Sequence, residues 1–263
     1  MERRAFVGSL LAAPLVGAAP KNIVLVSGDE EYRSEEMLPQ LARILSQRHG
    51  FRCTVLYALD PDGTINPDRR DNTPGLEALG SADLLVLHTR MRDLPDSQMK
   101  HLADYIEPGR PIVGLRTATH AFELKTSETY ARYNWNRPNG GFGRVVLGET
   151  WIRHHGTHAV ESTRGVWNAE QARHAILRGV GSGEVWSSTD VYAVSQPLPA
   201  DCRPLIQGLV LTGMNPGDPA VEGPRNDPPM PILWTKSYKG ARVVATTLGT
   251  ARDLLVRRIG GCS

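Results

Sequence analysis

Four short apolar runs, Lys21–Gly28, Phe51–Leu59, Ala82–His88 and Pro111–Leu115, alternate with stretches of helical periodicity, and this alternation limits the fold more than any other feature of the chain. The runs are rich in Val, Ile and Leu and end in small or polar residues, the pattern of strands buried on both faces. After the first run, Leu38, Leu41, Ile44 and Leu45 share one helical face, Gly50 ends the helix, and Pro39 is expected in its first turn, where a missing N–H costs little. Met99, Leu102, Ala103 and Ile106 mark a second amphipathic helix closed by Gly109. Strand and helix repeating at this pitch predict right-handed βαβ units. The fold class is therefore α/β: a doubly wound, mostly parallel sheet in a flavodoxin-like three-layer sandwich. Further strands are predicted at His158–Ser162, Val185–Val194, Leu205–Leu211, Ile232–Ser237 and Arg242–Thr247. Lys125–Gly148 is polar, aromatic and glycine-rich and reads as a long excursion rather than a core element.

The first twenty residues differ from the rest. Met1–Pro20 has a charged start, an apolar stretch and small residues suited to cleavage after Ala18 or Ala19, so residues 1–19 read as an export signal. Arg3-Arg4 followed by Phe6 resembles a twin-arginine signal, which implies bacterial export to a periplasmic or secreted location. An uncleaved anchor is the alternative, but Ala5–Ala19 contains Pro14 and is short against the roughly 20 residues a spanning helix needs. Residues 20–263 read as one domain. The formal charge of +2 falls to +1 without Glu2, Arg3 and Arg4, and no basic run remains, so nucleic acid is not an expected partner. Cys53, Cys202 and Cys262 are too few and scattered for a disulfide scaffold, although export would permit one bridge; Cys53 reads as a packing residue.

Ligands of such sheets gather at the carboxyl ends of the strands. Here those ends carry Ser27-Gly-Asp-Glu30, Asp60-Pro-Asp62, His88-Thr-Arg90 and Arg116-Thr-Ala-Thr-His120. The densest polar cluster is Gly148-Glu-Thr-Trp-Ile-Arg-His-His-Gly-Thr-His158. Its imidazoles suit a divalent ion such as zinc, which makes His154, His155 and His158 candidate metal ligands, with His120 able to add another across the cleft. Adjacent histidines on an extended segment point to opposite faces, so only one of His154 and His155 pairs easily with His158. Without a metal, His120, His155 and His158 are candidate acid/base groups, assisted by Asp29 or Glu30. A hydrogen-bonded polar loop is the plain alternative. Arg90 and Arg116 end adjacent strands and would orient substrate oxygens, unless they pair with Asp29, Glu30 or Asp93. Thr117 would serve as an oxygen ligand. Tyr32, Trp135 and Trp151 would stack on a flat ligand face or simply pack. No Gly-x-Ser-x-Gly elbow and no Gly-x-Gly-x-x-Gly fingerprint occur, so neither serine-type catalysis nor a nucleotide cofactor is expected.

Pro111-Ile-Val-Gly-Leu-Arg-Thr-Ala-Thr-His-Ala-Phe122 resembles the strand and sharp turn that carry the nucleophilic cysteine in class I glutamine amidotransferases, with Arg116 near the cysteine's place. A guanidinium has donors but no lone pair, so it forms no thioester. Together with Asn22–Gly28, Pro231-Ile-Leu-Trp234 and Gly240-Ala-Arg-Val-Val-Ala-Thr-Thr-Leu-Gly249, this turn resembles the trehalose-utilisation (ThuA-like) family, which keeps the amidotransferase-like fold without the nucleophile. In many relatives a histidine follows the last glycine; here it is Thr250, and Arg252–Ile259 is the segment left for the final helix. The resemblance implies carbohydrate utilisation on trehalose or a related glycoside or keto-sugar. The residues fit a hydrolytic or lyase-type reaction and fit equally a non-catalytic carbohydrate- or partner-binding protein. They leave a homo-oligomer open.

Overall fold

A computed structural model describes residues 19–254. The export signal and most of the predicted final helix lie outside the described residues. Strands β1 (Asn22–Gly28), β2 (Arg52–Leu56), β3 (Leu84–Thr89) and β4 (Ile112–Leu115) pair in parallel in the order β2-β1-β3-β4, as the apolar runs predict. Helices α1 (Ser34–His49) and α2 (Asp96–Ile106) connect them. Two short strands, β5 (Arg153–His154) and β8 (Tyr192–Ala193), pair only with each other. The remaining strands are β6 (Thr163–Trp167), β7 (Val185–Ser187), β9 (Cys202–Val210), β10 (Met230–Tyr238) and β11 (Ala241–Thr246). Strand β11 joins β4 in parallel, and β10, β9, β6 and β7 continue the sheet by antiparallel pairing. One nine-stranded mixed sheet results, parallel in its N-terminal half.

Its core lies mainly on one face, where Leu85, Leu87, Met99, Leu102, Phe122, Leu147 and Trp234 pack together. On the other face α1 covers Ile23, Leu25 and Val86 with Met37 and Leu38. The indole N–H of fully buried Trp234 donates to the Leu147 carbonyl at 2.8 Å. This bond ties the end of the Lys125–Gly148 excursion to the sheet. That excursion was expected to stay outside the core, yet Phe142, Val146 and Leu147 are buried in it. The reason is Gly143: a Cβ there would lie 2.2 Å from the Thr119 carbonyl oxygen, so only glycine lets the turn sit this close. Cys53 and Cys202 are free, and Cys53 packs beneath α1. Among the described residues no helix is long and apolar enough to cross a membrane.

Three local expectations change. Helix α1 starts at Ser34, so Pro39 lies beyond its first turn. The start is set by Asp29, whose carbonyl accepts from the Ser34 N–H at 3.1 Å and from the Ser34 hydroxyl at 3.1 Å. His158–Ser162 is a turn, not a strand, because Glu161 closes on Thr157: the Thr157 N–H donates to Glu161 Oε2 at 2.6 Å, and the Glu161 N–H returns a bond at 3.0 Å. Val185–Val194 is not one strand but β7 and β8, which belong to different sheets. The break between them holds Ser188-Thr189-Asp190, and it delivers Asp190 to the strand ends.

Candidate active site at the strand ends

Directly after β1 the chain turns through Asp29, Glu30 and Glu31 into α1. Asp29 is wholly buried. Its Oδ1 accepts the Glu31 and Tyr32 N–H groups at 2.8 and 3.1 Å, and its Oδ2 accepts the Thr117 hydroxyl. His88 Nε2 lies 3.1 Å from the same Oδ2. Burial pushes the carboxyl pKa up, but His88, Thr117 and the Tyr32 N–H outweigh burial and hold it well below the usual range. Asp29 is thus a fixed anion that shapes the turn, and Thr117 is its partner; neither faces the cleft as the sequence analysis expected. Glu30 is likewise engaged, by the guanidinium groups of Arg90, Arg92 and Arg70.

Arg116 has φ 42°, a strained left-handed conformation for a side chain of its size, at the sharp turn leaving β4. Its side chain is fully buried. Nη1 donates to the Asp190 and Thr247 carbonyls at 2.8 and 2.7 Å; Nη2 donates to Tyr32 Oη at 3.0 Å and Asp190 Oδ1 at 3.1 Å. All four terminal N–H groups are used. The guanidinium is also stacked on the Tyr192 ring at 3.5 Å and the Tyr32 ring at 4.4 Å. Arg116 therefore braces the site: only its buried Nε–H is without a partner, and its side chain is fully buried rather than presented to a substrate, which corrects the role expected of it. Tyr32 is likewise part of the brace: its buried ring packs on Arg116, and its hydroxyl accepts from Tyr192 Oη at 3.1 Å. Arg90 pairs with Glu30 and reaches Glu31 at 3.1 Å.

Asp190, buried between these groups, turns outward what Arg116 holds inward. Its Oδ2 accepts from His154 Nδ1 at 2.7 Å and its Oδ1 lies 3.3 Å from His158 Nδ1. The two imidazole rings are 5.0 Å apart, and His158 Nε2 is 3.8 Å from Glu31 Oε1. Glu31, His154 and His158 each offer a ligand atom, all within 4.8 Å of one another. His155 is absent from this group. It follows directly after β5, and its Nε2 bonds the Arg225 carbonyl at 2.7 Å instead. Of the three histidines expected to bind metal, His154 and His158 converge, and Glu31 takes the third place.

His120 ends the turn after β4 and is 3% exposed. Its ring sits 5.1 Å from Trp151, 5.9 Å from Tyr192 and 6.4 Å from Trp135, and Trp151 and Tyr192 in turn lie 5.9 and 5.5 Å from His154. A continuous aromatic wall thus joins His120 to the His154–His158 pair. Burial drives the His120 pKa down to about 3; Asp29 opposes this, while Arg90 and Arg116 add to it. At neutral pH it is an uncharged imidazole, not an acid. Its effect on stability has a definite sign. The unfolded chain takes up a proton near pH 6.5 that the folded chain refuses until about pH 3, so the stability His120 contributes is present above pH 6.5 and is lost as pH falls through that window. The slope is at most about 1.4 kcal/mol per pH unit. The variant His120→Asn should show a flatter decline between pH 6.5 and 4.5 in urea titrations; equal acid slopes for variant and parent would refute the argument.

Asp190 and Tyr192 went unrecognised in the sequence because they lie inside a run that reads as strand. The polar Ser187-Ser-Thr-Asp190 within that run was the available signal. Glu31 directly follows Asp29 and Glu30, and nothing local distinguishes it from Glu30.

The fold and site define the class: an α/β protein with a mixed nine-stranded sheet and a polar, aromatic-walled cluster at its strand ends, braced by a buried arginine. Residues 23–256 match the ThuA family, described as trehalose utilisation, and the chain belongs to that family. No curated protein matches it. Among solved structures it is similar to a ThuA-like protein from Parabacteroides merdae (16% identity, TM-score 0.55, covering 88% of this chain and 80% of that one). A ThuA-like protein from Bacteroides uniformis is similar at 13% identity and TM-score 0.54, covering 94% and 90%. At these identities the likeness is one of fold.

Proposed function

We propose that this protein processes a sugar or sugar derivative, by hydrolytic or lyase-type chemistry, in the cleft bordered by Glu31, His120, Trp151, His154 and His158. One observation carries the reading: Glu31 from the turn after β1 and the His154–His158 pair, more than 100 residues away in the chain, meet at the carboxyl edge of the sheet, beside an aromatic wall. Membership of a trehalose-utilisation family supports a carbohydrate as the substrate class. Sugar rings present apolar C–H faces between their hydroxyls, and exposed indole faces suit them. The N-terminal segment supports work in the periplasm or outside the cell, in a bacterial setting.

The test is incubation with trehalose, other glycosides and their keto derivatives, with products followed by NMR. A substrate should be consumed by the parent protein and left intact by the His154→Ala/His158→Ala variant. Saturable sugar binding without any product on long incubation would instead favour a carbohydrate-binding protein on the same fold. Undiminished turnover in the double variant would remove these histidines from the reaction.

A further inference from the structure

Asp190 does to two histidines at once what a carboxylate behind a metal site does. Carboxylate oxygens only accept, so with both Nδ1 atoms on Asp190 the hydrogens sit on Nδ1 and each Nε2 lone pair is left to bind something else. A histidine held in this way by a carboxylate is the usual state of a metal-bound imidazole: the tautomer and ring orientation are fixed and the ligand is made more basic. The carboxylate is itself fixed, since Arg116 holds both its Oδ1 and its backbone carbonyl.

The third donor, Glu31, enters from the turn after β1, with its carboxylate facing His158 Nε2. Two imidazole nitrogens and one carboxylate oxygen form the donor set of a catalytic zinc site, with the fourth position open to water or substrate. Ligand atoms around such an ion stand roughly 3.4 Å apart, given metal–ligand distances of about 2.0–2.2 Å. The ligand atoms the three residues offer stand within 4.8 Å of one another, so binding an ion requires side-chain movement that draws them together. Glu31 and His158 are the exposed members, at 27% and 49%; Glu31 Oε2 lies 3.1 Å from Arg90 Nε, while Oε1 faces His158.

We propose that Glu31, His154 and His158 bind one divalent transition-metal ion of the zinc type, and that Asp190 is the positioning residue of that centre. Binding itself stands on the geometry above; the use of the ion on a sugar rests on the function proposed in the preceding section. A zinc-type ion would carry a water whose proton is released near neutral pH and would polarise an oxygen of a bound substrate.

The experiment is titration of the chelator-stripped protein with Co²⁺, read by its visible absorption, and with Zn²⁺, read by calorimetry. One equivalent should bind, with a tetrahedral or five-coordinate cobalt spectrum. Glu31→Gln, His154→Ala and His158→Ala should each lose 100-fold or more in affinity, while His155→Ala should bind as the parent does. Asp190→Asn, checked for folding by circular dichroism, should weaken binding by about 10- to 100-fold and alter the cobalt spectrum, a change that loss of a merely structural contact would not produce. Absence of saturable binding, or parental affinity in the three ligand variants, would overturn the proposal, as would loss of the ion in His155→Ala. Turnover of a sugar by the stripped protein at the loaded protein's rate would overturn the catalytic use of the ion alone. A tight single ion with no product from any sugar would leave the metal centre standing and the sugar chemistry refuted.

Discussion

Replacing Asp190 by alanine is expected to lower the free energy of unfolding by about 3–5 kcal/mol, the range for removing one partner of a buried ion pair. Arg116 and Asp190 are 0% and 1% exposed at their side chains, and Asp190 is the carboxylate that meets this guanidinium. Without it Arg116 keeps its carbonyl acceptors and Tyr32 Oη, but its charge is stranded out of water. The two histidines would also lose the anchor for Nδ1. Urea unfolding followed by tryptophan fluorescence measures the loss, and a change below about 1 kcal/mol would mean that the carbonyl acceptors suffice to hold Arg116. Combining Arg116→Met with Asp190→Leu should recover part of the loss, because an apolar pair of similar volume leaves no charge unpaired.

The second large effect is expected at Glu30. Arg92 is fully buried, with Nε on the Arg90 carbonyl, Nη1 on the carbonyls of Pro67 and Arg69, and Nη2 at 3.1 Å from Glu30 Oε2. Burial lowers its pKa to about 10, with Glu30 the main opposing influence. Glu30→Ala leaves this guanidinium without its carboxylate and should cost about 3 kcal/mol or more; Glu30→Gln, which keeps an acceptor, should cost less. The pair of measurements decides between two roles. A large stability loss with turnover retained in the surviving folded protein makes Glu30 structural. Unchanged stability with turnover abolished would restore the proton-transfer role that its position after β1 suggests.

What the sequence disclosed follows the range of the interactions involved. The parallel strands were legible because burial on both faces writes itself as unbroken Val-Ile-Leu runs, and β1, β3 and β4 lie within two residues of their expected bounds. Strand β6, Thr-Arg-Gly-Val-Trp, was missed because its burial alternates and its residues are half polar. For the site, the right edge of the sheet was identifiable from strand polarity alone. So was the rule that neighbouring histidines face apart, though not which of them faces inward. That choice depends on Asp190, 36 residues from His154 in the chain, and no local pattern encodes it. The arginines misled for the same reason: Arg116 and Arg90 at strand ends look available until the distant partners that hold them are known.

The brace around Arg116 also has a kinetic meaning. Its bonds link residues 74, 84 and 131 positions apart, and the Tyr192–Tyr32 bond closes 160. Loop closures of that length are paid late on a folding route and slow it. Neither the parallel strands alone nor the antiparallel ones alone can arrange Glu31, His154 and His158, so the three side chains meet only when both halves have formed. Their assembly coincides with the last long-range closures, which makes the cluster a reporter of completed folding.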